Sequence, residues 1–228
     1  MINTTPPQPG FKVAVIGFGD GWREGLKRKA EGFEIWGFND MREGFERDHA
    51  DRWFQIHSRE YLRDKWKLWL SAEYFWAEYW KEGGAVPLYT NEHYSDMAGS
   101  VAFPKKEIEA MPFGSYHCGS FDWLIACAIL WQASEIHVYG VGLSYNGEPL
   151  SARACLEFWL GVAVGKGIKV HVVSADLFYT FNLVRSHWQY GWDESRPIIP
   201  VEELQAMFLT TPGEVVIVEA EIIETVQA

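Results

Sequence analysis

The sequence has few cysteines and no long apolar run, and both shortages limit what the chain can be. Its three cysteines, Cys118, Cys127 and Cys155, show none of the short pairings that bind zinc or form redox dithiols. We therefore expect no disulfides and reduced thiols that are mostly buried. The longest uninterrupted apolar run, residues 123–131, is about half as long as a membrane span needs.

We also expect no signal peptide. Residues 1–7 contain neither the charged region nor the apolar region of a signal peptide. The 228 residues are 48% hydrophobic, which is enough to bury a substantial core. We therefore expect a soluble, cytoplasmic globular protein without a membrane span.

Basic residues are scarce, with 20 Lys and Arg against 31 Asp and Glu and a net charge of −11. The acidic excess is concentrated in residues 193–228, which contain eight acids and one base. The two basic clusters, at 23–29 and 105–106, are typical of solvated helix faces. A long nucleic acid is therefore an unlikely partner, whereas a small nucleotide bound by local amides and hydroxyls is compatible with this charge.

Apolar segments typical of strands alternate with helix-like segments, which predicts an α/β fold with a Rossmann-like, mostly parallel sheet flanked by helices. We expect this nucleotide-binding domain to cover residues 11–180. An acidic C-terminal extension, residues 197–228, is a candidate for homo-oligomer formation. The predicted strands are 13–17, 34–38, 52–56, 85–89, 135–141 and 168–173, and the predicted helices are 22–31, 59–81, 105–111, 121–132 and 152–166.

A glycine-rich loop follows the first predicted strand. Gly17, Gly19 and Gly21 are spaced two positions apart and precede a helix-like segment. Glycines let backbone amides approach a ligand without interference from a Cβ atom, and a helix N-terminus favours anions such as phosphate. The loop therefore predicts a nucleotide site.

The same loop only partly fits the dinucleotide fingerprint G-x-G-x-x-G, because Trp22 stands where the third glycine belongs. Asp40 lies about 20 positions further on, where a carboxylate would bind the ribose of NAD. The pair Asn39-Asp40 is equally typical of an ordinary turn. An NAD-dependent enzyme therefore stays open as a third hypothesis.

Four segments of the sequence form a pattern together: Val15-Ile-Gly-Phe-Gly-Asp-Gly21, Gly37-Phe-Asn-Asp40, Cys118-Gly-Ser-Phe-Asp-Trp-Leu-Ile-Ala-Cys-Ala-Ile-Leu130 and Glu135-Ile-His-Val-Tyr-Gly-Val-Gly-Leu143. In order and spacing they resemble one superfamily, which contains the lipooligosaccharide-type sialyltransferases, the flagellar motility-associated factors and the 6-hydroxymethylpterin diphosphokinases. The chain also resembles phage-encoded proteins, through residues 51–57, 86–89 and the pair Arg153 and Glu157. The resemblance covers about residues 11–175.

The resemblance implies a Rossmann-like fold that binds a nucleotide or nucleotide sugar as a small-molecule partner. It implies no metal-binding side chain and leaves a magnesium requirement open. Ser120 would lie at a helix N-terminus facing the ligand, although a helix-capping role is the alternative. The nucleotide-binding residues that it implies are Gly17, Gly19, Asp20, Gly21, Asn39, Asp40, Ser120, Gly140 and Tyr145.

The sequence departs from the superfamily where catalysis would be expected. Asp20-Gly21 replaces the Pro-Ser of the first loop, Gly142 replaces an acid, and no histidine matches the general base of the sialyltransferases. The substitute candidates are His57, Glu92 and His93, for each of which a structural or solvent-exposed role is the alternative.

Three further histidines and one charged pair are polar residues with either a structural or a functional role. His117 precedes the Ser120 turn, while His137 and His171 lie inside predicted strands, where packing is the simpler role. Arg153 and Glu157 are four residues apart on a predicted helix, a spacing that favours either an ion pair or joint binding of an anionic substrate.

Together these observations predict a nucleotide-dependent transferase that moves a glycosyl or pyrophosphoryl group from an activated donor to a hydroxyl acceptor. The alternative, from another class, is a non-catalytic protein that binds a nucleotide or a nucleotide-derived signal. That alternative would explain why a glycine loop is present where catalytic matches are missing.

Overall fold

The computed structural model describes residues 2–17, 19, 21–39, 49–58, 86–96, 99–141 and 150–173. Several predictions lie outside these residues, namely the helix 59–81, the site residues Asp20, Asp40 and Tyr145, and the extension 197–228. The chain divides into two compact units, Met1–Leu183 and Val184–Ala228, and every described residue belongs to the first.

Seven parallel strands form one sheet in the described part of the chain. Four α-helices and a short 3-10 turn, Arg28–Glu31, are described beside it. The strands are β1 (Lys12–Ile16), β2 (Phe33–Phe38), β3 (Arg52–Gln55), β4 (Leu88–Thr90), β5 (Ser100–Ala102), β6 (Glu135–Tyr139) and β7 (Lys169–Val173), and the helices are α1 (Trp22–Lys27), α2 (Lys105–Glu109), α3 (Ser120–Leu130) and α4 (Leu150–Gly165).

The strand order is β5-β4-β3-β2-β1-β6-β7, with β1 near the middle. From β1 the chain builds the sheet outwards through β2, β3, β4 and β5, and it then returns to the other side of β1 to form β6 and β7. The order therefore reverses between β1 and β6. In open parallel sheets such a switch point leaves a crevice at the carboxyl ends of the strands, and ligands bind there.

The sheet is buried on both faces, as the apolar character of its strands requires. Val13 and Val15 of β1 face the side covered by α3 and α4, and Ala14 and Ile16 face the side covered by α1. All four side chains are fully buried. Gly25 lets α1 lie close to the sheet, because a Cβ atom there would collide with Ile16 and Tyr139.

The predicted α/β fold is confirmed, with shifted boundaries. The predicted strand 85–89 is β4 at Leu88–Thr90, and the strand Ser100–Ala102 is absent from the sequence prediction because three residues carry too little pattern. The helix predicted at 22–31 ends as a 3-10 turn, and Gly167 follows α4 in the left-handed conformation (φ 81°), as a helix end favours. No helix in the described residues is both long and apolar enough to cross a bilayer.

Candidate functional site

The loops after β1 and β6 lie against each other at the switch point. The amide of Gly17 donates a hydrogen bond to the carbonyl of Tyr139 (2.8 Å), and the amide of Gly19 donates to that of Gly140 (2.6 Å). A Cβ atom on Gly17 would collide with the Gly140 carbonyl and the Phe121 ring. Glycine is therefore needed for the two loops to approach this closely.

This contact corrects one expectation about the glycine loop. The sequence predicted that the amides of Gly17 and Gly19 are free donors for a ligand. They instead donate hydrogen bonds to β6 and the loop after it. Gly21 adopts φ 81° and is the N-cap of α1, which has six residues before the 3-10 turn begins. The glycines therefore shape the floor of the crevice, and donors to a ligand must come from other groups.

Asn39 begins the loop after β2 and has a left-handed backbone, with φ 54°. Asparagine tolerates this conformation better than most residues. The main chain of Asn39 is held on both sides, because its amide donates to the Phe54 carbonyl (2.9 Å) and its carbonyl accepts from Trp53 Nε1 (3.0 Å). The side-chain Oδ1 accepts a hydrogen bond from Ser120 Oγ (3.3 Å). The fixed backbone thus directs the Asn39 carboxamide towards the start of α3.

Ser120 is the first residue of α3, and Gly119 is the N-cap. Because glycine has no side chain, the N-cap residue itself offers no acceptor to the first-turn amides of this 11-residue helix. The amides of that turn carry the positive end of the helix dipole. The alternative role of Ser120 as the N-cap is wrong, because its hydroxyl bonds to Asn39 instead of a helix amide.

Asp122 is a further residue of this region, and it was not among the site residues predicted from the sequence. Its carboxylate is buried and accepts hydrogen bonds from the amides of Cys118 (2.8 Å) and Gly119 (3.0 Å) and from His117 Nδ1 (3.1 Å). An acid three residues after the N-cap is the second half of a capping box. The three-residue spacing from Gly119 to Asp122 could have indicated this role in the sequence. It is hard to recognise because a capping box normally begins with a polar side chain, which glycine lacks.

The three candidate bases lie beyond β3 and β4, on the β5 side of the sheet. His57 follows β3 and is partly buried, and burial lowers the pKa of its imidazole, so the ring is neutral at pH 7 and able to accept a proton. Glu92 and His93 follow β4 and are exposed. His93 Nδ1 donates to the Ser100 carbonyl (2.8 Å), which fixes the proton on that nitrogen in the neutral ring.

The structure brings five predicted nucleotide-site residues together, and the three bases follow β3 and β4 on one side of them. His57 is the nearest of these bases in the sheet, because β3 lies beside β2 and the Phe54 carbonyl accepts from the Asn39 amide. Strand spacing places the ends of β3 and β4 about 10 and 14 Å from the end of β1. Within the described residues, Glu92 and His93 bond locally: the Glu92 carbonyl accepts from Thr90 Oγ1, and His93 Nδ1 donates to the Ser100 carbonyl. The five residues at the switch point and the start of α3 are Gly17, Gly19, Asn39, Ser120 and Gly140.

Arg153 and Glu157 form an ion pair on α4, with 2.8 Å between Arg153 Nε and Glu157 Oε1. The side chains are 35% and 25% exposed. Of the two roles predicted for this pair, the structure therefore contains the ion pair. The first turn of α4 borders the turn before Ser120, since Ser151 Oγ lies 2.9 Å from Cys118 Sγ.

The three cysteines are free thiols. Cys118 is exposed, whereas Cys127 and Cys155 are buried. Burial raises the pKa of the Cys127 thiol well above its ordinary value and also raises that of Cys155. Two of the three thiols are therefore buried, in agreement with the expectation of mostly buried thiols, and Cys118 is the exposed one. Within the described ranges, no group of three or more His, Cys, Asp or Glu side chains could hold a metal ion.

Comparison with known proteins shows the fold. The chain matches no protein-family model and no curated protein. It is similar to the sialyltransferase CstII from Campylobacter jejuni, solved in complex with a substrate analogue, cytidine-5'-monophosphate: 13% identity, a TM-score of 0.51, and coverage of 77% of this chain and 85% of that chain. A second CstII structure, in complex with CMP-3FNeuAc, matches with 15% identity and a TM-score of 0.45 over 88% of this chain and 100% of that chain. The first of these matches shows that the chain shares the fold of that sialyltransferase.

Proposed function

We propose that this protein is a nucleotide-sugar-dependent glycosyltransferase whose donor lies across the carboxyl ends of β1, β2 and β6. The observation that carries the proposal is the contact between Ser120 and Asn39, which joins the end of β2 to the start of α3 beside the packed loops of Gly17 and Gly140. Transfer of a pyrophosphoryl group from ATP is the related reaction that the same crevice would serve.

The chemistry of such a donor fits the polar groups of the crevice. When a glycosyl group leaves a nucleotide, negative charge grows on the departing phosphate, and fixed hydrogen-bond donors lower the barrier. The first-turn amides of α3 supply such donors. The Ser120 hydroxyl gives its proton to Asn39 Oδ1, which orients the Asn39 carboxamide, and leaves its oxygen as an acceptor for a ribose hydroxyl. The Asn39 Nδ2 group is suited to a ribose hydroxyl or a phosphate oxygen. The fold neighbour bound to cytidine-5'-monophosphate adds support for a nucleotide ligand.

The acceptor hydroxyl needs a proton acceptor. Among the three candidates we favour His57, because its lowered pKa keeps the ring neutral at pH 7 and the end of β3 is nearer to β1 than the end of β4 is. Glu92 and His93 serve an acceptor bound further along the sheet edge. The proposal assigns no protein ligand to a metal, and magnesium enters the test as a variable.

The first experiment is a thermal-shift panel of cytidine, uridine, adenine and guanine nucleotides and NAD, each with and without magnesium. Ligand bound to the folded state raises Tm in proportion to occupancy. We expect a cytidine nucleotide to give the largest shift. If no nucleotide shifts Tm, the proposal is wrong.

A non-catalytic nucleotide-binding protein is the second candidate, favoured because Glu92 and His93 are exposed and follow β4, two strands away from Asn39 at the end of β2. Incubation with CMP-activated sugar, followed by denaturation and chromatography, distinguishes the two. Recovery of CMP and a transferred or hydrolysed sugar indicates an enzyme, and recovery of intact donor indicates a binder. NAD binding that is lost in Asp40→Ala would raise the dinucleotide hypothesis above both.

A further inference from the structure

The turn at residues 117–120 is organised by one buried carboxylate. Asp122, with a fully buried side chain, accepts one hydrogen bond from a side chain and two from the backbone amides that precede Ser120. A carboxylate removed from water needs such donors, because an unsatisfied buried charge is strongly destabilising. The three bonds fix the path of the chain from His117 to Ser120.

His117 is itself held between two helices. Its imidazole is stacked between the indoles of Trp123 on α3 and Trp159 on α4, with ring centroids 3.7 and 4.9 Å away and interplanar angles of 11° and 10°. The Trp159 Nε1 group donates to the carbonyl of Tyr116, the residue before His117 (2.8 Å). The side chain of His117 is 3% exposed. The direction of its Nδ1–H bond to Asp122 is therefore set by packing.

The other ring nitrogen shows that packing alone does not explain a histidine here. Among the residues that the structure describes, the buried His117 Nε2 has no hydrogen-bond partner. A buried polar atom left unpaired costs about 1–3 kcal/mol, a cost that phenylalanine in the same slot would avoid. What histidine adds over phenylalanine is the Nδ1–H donor to Asp122.

We propose that His117 and Asp122 are positioning residues of the nucleotide site, which hold the Cys118–Ser120 turn so that the Ser120 hydroxyl and the first amides of α3 face the ligand. This inference rests on the proposed function. The two residues act through Ser120, and neither needs to contact the nucleotide. Their hydrogen bonds also occupy the amides of Cys118 and Gly119, which leaves the donors from Ser120 onwards for the phosphate.

Two substitutions separate the ring from the donor. His117→Phe keeps an aromatic ring between the indoles and removes the donor. His117→Asn removes the ring, and its Nδ2 group occupies nearly the same position along the side chain as Nδ1, so the donor to Asp122 is retained. If His117 only fills space, His117→Phe will keep both stability and ligand affinity, and His117→Asn will lose both. If it positions the turn, His117→Phe will lose affinity and His117→Asn will keep it.

The experiment measures three quantities for wild type and both variants: Tm, the dissociation constant of cytidine-5'-monophosphate by calorimetry, and hydrogen exchange of the Cys118 and Gly119 amides. We expect His117→Phe to keep Tm, to weaken binding about tenfold, and to exchange both amides at least about fivefold faster. We expect His117→Asn to lower Tm by several degrees while binding and exchange stay within about twofold of wild type.

Affinity and hydrogen exchange at the wild-type level in His117→Phe would overturn the inference. If His117→Asn does not fold, the result for His117→Phe alone decides. A wild-type protein that binds no nucleotide defeats the proposed function instead. In that case the exchange measurement still tests the positioning: faster exchange in His117→Phe supports an ordered turn held by the donor, and unchanged exchange refutes it.

Discussion

Ser120 donates a hydrogen bond to Asn39 across 3.3 Å and thereby joins the start of α3 to the loop after β2. The two residues are 81 positions apart in the chain. They meet because β2 ends, and α3 begins, at the same edge of the sheet, where Phe38 packs edge-on against Phe121 (4.3 Å between ring centroids). A hydroxyl and a carboxamide are thus held beside the switch point.

Removing these two groups tests the site directly. We expect Ser120→Ala and Asn39→Asp each to weaken nucleotide binding about tenfold. Ser120→Ala removes the hydrogen bond that orients the Asn39 carboxamide, and Asn39→Asp replaces the Nδ2 donor with a negative charge near phosphate. Aspartate tolerates the left-handed backbone at position 39, so Tm should change little. Calorimetric titration with cytidine-5'-monophosphate measures the effect.

Ser134→Ala is the matched control for Ser120→Ala. Its hydroxyl bonds to the carbonyls of Gly10 and Phe11, before β1 begins and therefore at the opposite edge of the sheet. The affinity of Ser134→Ala for cytidine-5'-monophosphate should therefore equal that of the wild type. Equal losses in the Ser120 and Ser134 variants would mean that the crevice is not the binding site.

Gly140→Ala should destabilise the protein strongly. Its φ of 62° strains any side chain, and a Cβ atom would approach the Gly17 and Gly19 carbonyl oxygens to 2.8 Å. We expect a loss of roughly 3 kcal/mol in the free energy of unfolding, measured by urea denaturation. Gly167→Ala, with φ 81° and open space around the Cβ position, should lose only about 1 kcal/mol. Similar losses in both would show that loop packing at Gly140 contributes nothing.

Cys118 should be the thiol among the three that reacts with iodoacetamide in the native protein, because Cys127 and Cys155 are buried and burial raises their pKa. Mass spectrometry of the intact chain should show one adduct, and none in Cys118→Ser. Since Cys118 lies two residues before Ser120, a bound nucleotide should slow the reaction. Modification that is equally fast with saturating nucleotide would argue against a ligand at this turn.

Stability should fall as the pH drops below about 6.5, the ordinary pKa of histidine. Burial lowers the pKa of His57, His137 and His171, and for His137 the hydrogen bond to Glu135 opposes that effect in part. A lowered pKa in the folded state means that the unfolded chain binds more protons below this pH, so protonation favours unfolding. The contribution is fully present above pH 6.5 and is lost towards the folded-state pKa values.

Urea denaturation at pH 7.5 and 5.5 measures this pH dependence. His137→Gln should reduce the difference between the two pH values, because it removes one of the titrating groups. A difference that His137→Gln leaves unchanged would assign the pH dependence to other residues.

The sheet was predictable from the sequence because each long strand carries its own apolar run. Val13–Ile16 and Glu135–Tyr139 are recognisable without any knowledge of their neighbours, and alternation with helices implies parallel pairing. The strand Ser100–Ala102 has no such signature. It is a strand because its pairing with β4 supplies the hydrogen bonds, a tertiary effect that a local pattern cannot carry.

The sequence predicted which residues lie at the site but not which hydrogen bonds they make. The motif order singled out Gly17, Asn39 and Ser120, but the amides of Gly17 and Gly19 were expected to be free. Whether an amide is free depends on what packs against it, and here this is a loop more than a hundred residues further along the chain. Asp122 was missed for a related reason, since its partners are backbone amides and a histidine fixed by two helices.

The pairing of β1 with β6 has a consequence for how the protein forms. Lys12 pairs with Glu135 and Ile16 pairs with Tyr139, and the Gly17 and Gly19 amides find their acceptors at the end of β6. Contacts between such distant parts of the chain require a long loop to be closed. The crevice therefore exists only when the two halves of the sheet have paired, and nucleotide binding reports that both have assembled.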